Sequence, residues 1–176
     1  MSGHNKWSKI KHQKAVSDAK KSKAFGKLVR FLTVEAKKAK GDKNAPGVRL
    51  AIDKARAANM PGDTIERALE KGAADTGASL QAITYEAYGP GGVALLIETL
   101  TDNRNRTAAE IKHLLGKHDI ALVAPGNASF AFAKGAEGLE PTSTIELMDE
   151  DLPKLDALVD ALEDHDDVQN VYTNAA

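Results

Sequence analysis

Between residues 1 and 23 apolar positions are sparse: after Met1, only Trp7, Ile10, Ala15, Val16 and Ala19 interrupt a polar, lysine-dense stretch. It can form helix, but its apolar stripe is too narrow to bury alone. From Phe25 the pattern sharpens. Phe25, Leu28, Val29, Leu32 and Ala36 fall at i, i+3, i+4, i+7 and i+11, one face of an amphipathic helix that runs to about Lys40 and stops at Gly41. Val48, Ala51, Ile52 and Ala55 mark a second helix, and Pro61-Gly62 separates it from a third. Asp63-Thr64-Ile65-Glu66 reads as a capping box opening that helix, and Gly72 as the residue that closes it. Residues 1–72 are therefore expected to be an all-helical domain, with 73–80, small and polar, as a linker.

Beyond residue 80 the period changes. Ile83 to Tyr88 is strand-like, Gly89-Pro90-Gly91-Gly92 turns the chain, and Val93 to Leu100 is an apolar run of the kind a buried central strand carries. Thr107-Ala108-Ala109-Glu110 reads as a second capping box, with Ala108, Ile111, Leu114 and Leu115 as the core face of its helix. Two more strands are expected at Ala128–Ala133 and Thr142–Leu147. A last helix carries Leu155, Leu158, Val159 and Leu162, and a strand at Val168–Tyr172 follows. From Val93 on, the order is β-α-β-β-α-β, the ferredoxin-like arrangement, with the strand at 83–88 added as a hairpin partner. The fold class is α plus α+β: a helical domain at 1–72 and a sandwich at 81–176, one apolar sheet face lying under two helices.

Charge divides along the same line. Residues 1–72 hold 18 Lys/Arg against 7 Asp/Glu, a net of +11, and residues 73–176 hold 6 against 18, a net of −12. The whole-chain value of −1 conceals this. Asymmetry on this scale points to an anionic partner for the basic half. Residues 1–40 carry 12 Lys/Arg against Asp18 and Glu35, with Trp7, Phe25 and Phe31 interspersed. Such density suits a phosphate backbone, since each neutralised phosphate releases counterions. The candidate contacts are Lys6, Trp7, Lys9, Lys11, His12, Lys14, Lys20, Lys21, Lys23, Lys27 and Arg30. Trp7 could stack on an unpaired base or be tucked into the domain.

A second candidate is Thr101-Asp102-Asn103-Arg104-Asn105-Arg106-Thr107, between a central strand and a helix. Arg104 and Arg106 beside helix-start donors could hold a phosphate, or the Asn and Asp residues could serve the turn alone; both readings stand. The glycines at 89–92 lack the Lys and Ser/Thr of a phosphate loop and read as a tight turn. His113 and His118 lie about 140° apart around a helix, so they do not form a zinc pair. Cysteine is absent. No metal, cofactor, small-molecule substrate or catalytic set is expected, and neither is a membrane span, the longest apolar run being Val93 to Ile97. Without an apolar leader core at the start, a cytoplasmic location is expected. The acids of the last forty residues read as a solvated face, or as one that repels nucleic acid from that side.

Several of these words together resemble the YebC/PmpR family. They are Gly3 to His12, Ala51 to Ala55 with Ala58 to Pro61, Asp63 to Ala68, Tyr85 to Ala94, Thr101 to Thr107 and Ala161 to Tyr172, in that family's order from end to end. The resemblance implies action on nucleic acid without catalysis. One expectation is a translation factor that meets ribosomal RNA or the ribosome and modulates synthesis, including at proline-rich stretches; the other is a DNA-binding transcriptional regulator. It also implies a departure. Family members carry a third domain inserted where this chain has only Lys134 to Pro141, so this is a short form.

Overall fold

A computed structural model of the chain describes residues 18–74, 80–136 and 138–176. The described residues divide into two compact units, one gathering 18–81 with 100–102, the other 82–99 with 103–176.

The first unit is helical. Helix α1 is described over Asp18–Lys38, α2 spans Pro46–Ala57 and α3 spans Gly62–Ala73. Their apolar stripes meet as the periodicity predicts. Leu32 and Ala36 of α1, Val48, Ala51 and Ala55 of α2, and Ile65, Ala68 and Leu69 of α3 form one buried cluster. Phe25, Leu28 and Val29 pack on it half-buried. The chain leaves α1 at Gly41, whose N–H donates to the Ala36 carbonyl at 2.9 Å.

Two local readings are corrected here. Helix α3 has Pro61 at its N-cap without a side-chain cap; Asp63 pairs with Arg67 at 2.9 Å and Glu66 pairs with Lys43. Gly72 does not close α3 but lies buried within it. A Cβ there would land on the Thr33 carbonyl and 2.8 Å from the Ala36 Cβ, so glycine is needed for α3 to approach α1 this closely.

The second unit is built on a four-stranded sheet. Strands β1 (Gln81–Tyr88), β2 (Ala94–Thr101), β3 (Leu122–Val123) and β6 (Val168–Thr173) lie in the order β3-β1-β2-β6. The turn between β1 and β2 holds Gly91 at φ 68° and Gly92 at φ 77°, closed by the Gly89 N–H on the Val93 carbonyl at 2.8 Å. Helices α4 (Arg104–Gly116) and α5 (Leu152–Glu163) cover one face. There Leu95 and Ile97 of β2 meet Ile111, Leu115, Leu155, Leu158 and Leu162. The alternate residues Ala94 and Leu96 meet Ala128, Ala131 and Phe132 on the other face. Burial on both faces explains the unbroken apolar run of β2.

The class is α+β, but the sheet departs from the ferredoxin-like expectation. Residues 129–131 form a short 3-10 turn, followed by β4 (Phe132–Lys134), which pairs only with β5 (Leu139–Pro141) as a separate two-stranded ribbon. Residues 142–147 form no strand beyond a single parallel bridge between Ile145 and Ala175. For the turn at the start of the expected 128–133 strand, the physical reason lies with Glu86. Its buried carboxylate accepts the backbone N–H groups of Gly126 at 2.8 Å, Ala128 at 2.7 Å and Ser129 at 3.1 Å, groups a strand ladder would have required. Among the described residues, no helix is long and apolar enough to cross a membrane.

Candidate nucleic-acid interface

Lys6, Trp7, Lys9, Lys11, His12 and Lys14 lie outside the described residues. The other predicted cations of the basic segment are on α1. Lys20, Lys23, Lys27 and Arg30 recur at i, i+3, i+7 and i+10, a stripe of α1 that also carries the buried Val34 further along the helix. Lys20, Lys21 and Lys23 are exposed, while Lys27 and Arg30 are half-buried. Arg30 also donates from Nη1 to the Leu100 carbonyl at 3.4 Å, within the same unit.

Helix α2 adds cations that the sequence reading left aside. Arg49, Lys54 and Arg56 are exposed, and Arg49 and Arg56 share a face at i, i+7. The Lys54 ammonium lies 5.7 Å from the centre of the Phe31 ring, within cation–π range. Seven residues between two arginines is a helical period, and that spacing was the available signal.

The arginine loop is built more tightly than its sequence implies. Asn103 caps α4, its side chain accepting from the Arg106 N–H at 3.1 Å, so the helix begins three residues before the Thr107–Glu110 box that the sequence proposed. Thr107 is fully buried one turn in. Its hydroxyl lies 2.7 Å from Asp167 Oδ2 and 3.1 Å from the Asn103 carbonyl. The same carboxylate oxygen takes Arg106 Nη2 at 2.9 Å, and Arg106 Nε lies 3.9 Å from Glu110. His165 completes the set: Nε2 is 2.8 Å from Glu110 Oε2, and Nδ1 accepts the Asp167 N–H at 3.1 Å. Thus the Arg106 fork is engaged internally, while Arg104 is exposed on the surface.

Glu110, His165 and Asp167 bring ligand atoms within 4.8 Å of one another, a spacing a metal ion could use. Arg106 already supplies a cationic partner to both carboxylates, at 2.9 Å from Asp167 and 3.9 Å from Glu110. The set is better described as an ion-pair network. A cleft of about 440 Å³ lies elsewhere in this unit, lined by Tyr88, His118, Asp119, Ile120, Asp151 and Lys154. Lys154 there is paired with Asp151 at 2.9 Å, which raises its pKa.

Comparison with known proteins places these units. The domain described as "TACO1/YebC protein N-terminal domain" matches residues 5–75, and "TACO1/YebC second and third domain" matches 80–137 and 136–175. The two stretches of the second match meet in the turn between β4 and β5. A "Probable transcriptional regulatory protein" of Kosmotoga olearia is 47% identical over 176 residues, covering 98% of this chain and 70% of the relative. One from Thermosipho africanus is 39% identical over 235 positions, covering 99% and 93%. That alignment is longer than this chain, so the relative carries a block that the chain lacks. Among solved structures, a conserved hypothetical protein from Aquifex aeolicus superposes with a TM-score of 0.83 at 31% identity, covering 95% of each chain.

Proposed function

Since this chain belongs to the TACO1/YebC family, we propose that it is a nucleic-acid-binding regulator that meets RNA of the translation machinery through its basic helices. The observation that carries this reading is the division of charge: +11 over residues 1–72, with Lys20, Lys21 and Lys23 exposed on α1. Lysines of this kind read the phosphate backbone rather than base identity, so affinity falls steeply with salt. The activity is binding, exerted in the cytoplasm, with no reaction of its own. The −12 unit supplies a surface that turns nucleic acid away from the wrong side.

The names of its relatives favour a second reading, in which the partner is duplex DNA and the output is transcription. The same cations would serve either polymer. Co-sedimentation with purified ribosomal subunits, alongside competition between structured RNA and duplex DNA of equal length, separates the two. The first reading predicts that the chain travels with a subunit and that RNA outcompetes DNA. Preference for the duplex, with no protein in the subunit fractions, would establish the second.

A further inference from the structure

We infer that Asp167, acting through Arg106 and Thr107, is a positioning residue that fixes Arg104 against a backbone phosphate of the bound nucleic acid. This rests on the reading of the chain as a nucleic-acid-binding protein and names a device within it. Three positions of the first turns of α4, residues 106, 107 and 110, are tied to residues 165 and 167 of the turn between α5 and β6. Asp167 is 2% exposed and Thr107 is fully buried, so the bond between them is interior, while Arg106 and Glu110 join the network from the surface. Arg104 stands one turn before Thr107 on the same face of the helix. The neighbouring Tyr85 hydroxyl is pushed up mainly by burial, and it feels both Arg104 and Asp167.

An ion pair with one buried partner, like that of Asp167 with Arg106, is weak evidence for stability, because apolar residues of similar volume often do as well. Its better-attested use is to fix one arrangement. The arrangement fixed here is a surface turn whose outward residue is an arginine, a side chain that grips a phosphate only when its fork is aimed. Loss of the lock would leave Arg104 present but unaimed.

The test uses the full chain and a fluorescein-labelled 20-nucleotide single-stranded RNA. Arg104→Ala is expected to weaken binding about tenfold and to reduce the slope of log K against log salt by about 0.7, the share of one phosphate. Asp167→Asn keeps the size and an acceptor for Thr107 but removes the charge that holds Arg106. Arg106→Lys keeps the charge and removes the fork, and it decides the matter should Asp167→Asn fail to fold. Each should reproduce the Arg104→Ala loss, and combining either with Arg104→Ala should add nothing further. A purely structural lock predicts otherwise: a lower melting temperature, unchanged RNA affinity of the folded protein, and losses that multiply in the double variant. Those results would overturn the inference. If wild type binds but Arg104→Ala binds equally well, this inference falls alone. If wild type shows no salt-dependent binding, the underlying reading falls and takes it along.

Discussion

At the scale of single residues, Glu86 does the most to shape the second unit. Burial pushes its carboxyl up, but three backbone N–H donors outweigh that and hold it below the usual carboxylate range. The stability it contributes is therefore present above the ordinary carboxylate pKa and is lost as pH falls through the lowered one. Glu86→Gln should cost about 1–3 kcal/mol at neutral pH, since one acceptor and the charge are lost from a buried site. Urea titrations at neutral pH and at the lowest pH at which the chain stays folded check this. The gap between wild type and variant should narrow on acidification, and a constant gap would contradict the account. No local pattern announces this role. Glu86 sits in an alternating strand, and its partners lie some forty residues ahead. This is why Ala128–Ala133 reads as a strand in the sequence but begins as a pinned turn.

At the scale of elements, the helix faces were legible because each rests on a 3.6-residue period. Phe25 to Ala36, Val48 to Ala55 and Leu155 to Leu162 all turn the residues their spacing marks toward a core, with Phe25, Leu28, Val29 and Ile52 half-buried at its margin. The helix starts were less legible, since capping residues have other partners available. Asp63 goes to Arg67, Glu66 to Lys43 and Thr107 to Asp167. Gly72 teaches the same lesson, since position at a helix end suggested a terminator and close packing requires it instead. Gly72→Ala should destabilise the protein by about 1–3 kcal/mol, because overpacking outweighs the helix propensity that alanine gains. Gly26→Ala should do the opposite. A Cβ at Gly26 meets nothing within 4 Å, so alanine gains about 0.5–1 kcal/mol of helix preference unopposed. Thermal melts of the two variants should shift in opposite directions, and a shared sign would refute the close-approach explanation.

At the scale of the molecule, what the sequence carried best was the division of charge, because net charge is a sum over residues and needs no contact to be known. It carried the arginine loop less well. Arg106 looks like a phosphate ligand until Asp167, sixty-one residues away, is seen to hold it. The missing inserted block fits the same view. The short ribbon of β4 and β5 closes at the place where the two stretches of the second family match adjoin. The central claim is that the basic N-terminal region binds nucleic acid through its phosphates. The most direct measurement is the salt dependence of binding to single-stranded RNA, for wild type and for a variant with Lys9, Lys11, Lys14, Lys20 and Lys21 changed to Glu. With about five phosphates met, wild type should give a slope of log K against log salt of about −3.5, and the variant should fold yet lose binding. A flat salt response, or a folded variant that binds RNA as tightly as wild type, would contradict the account.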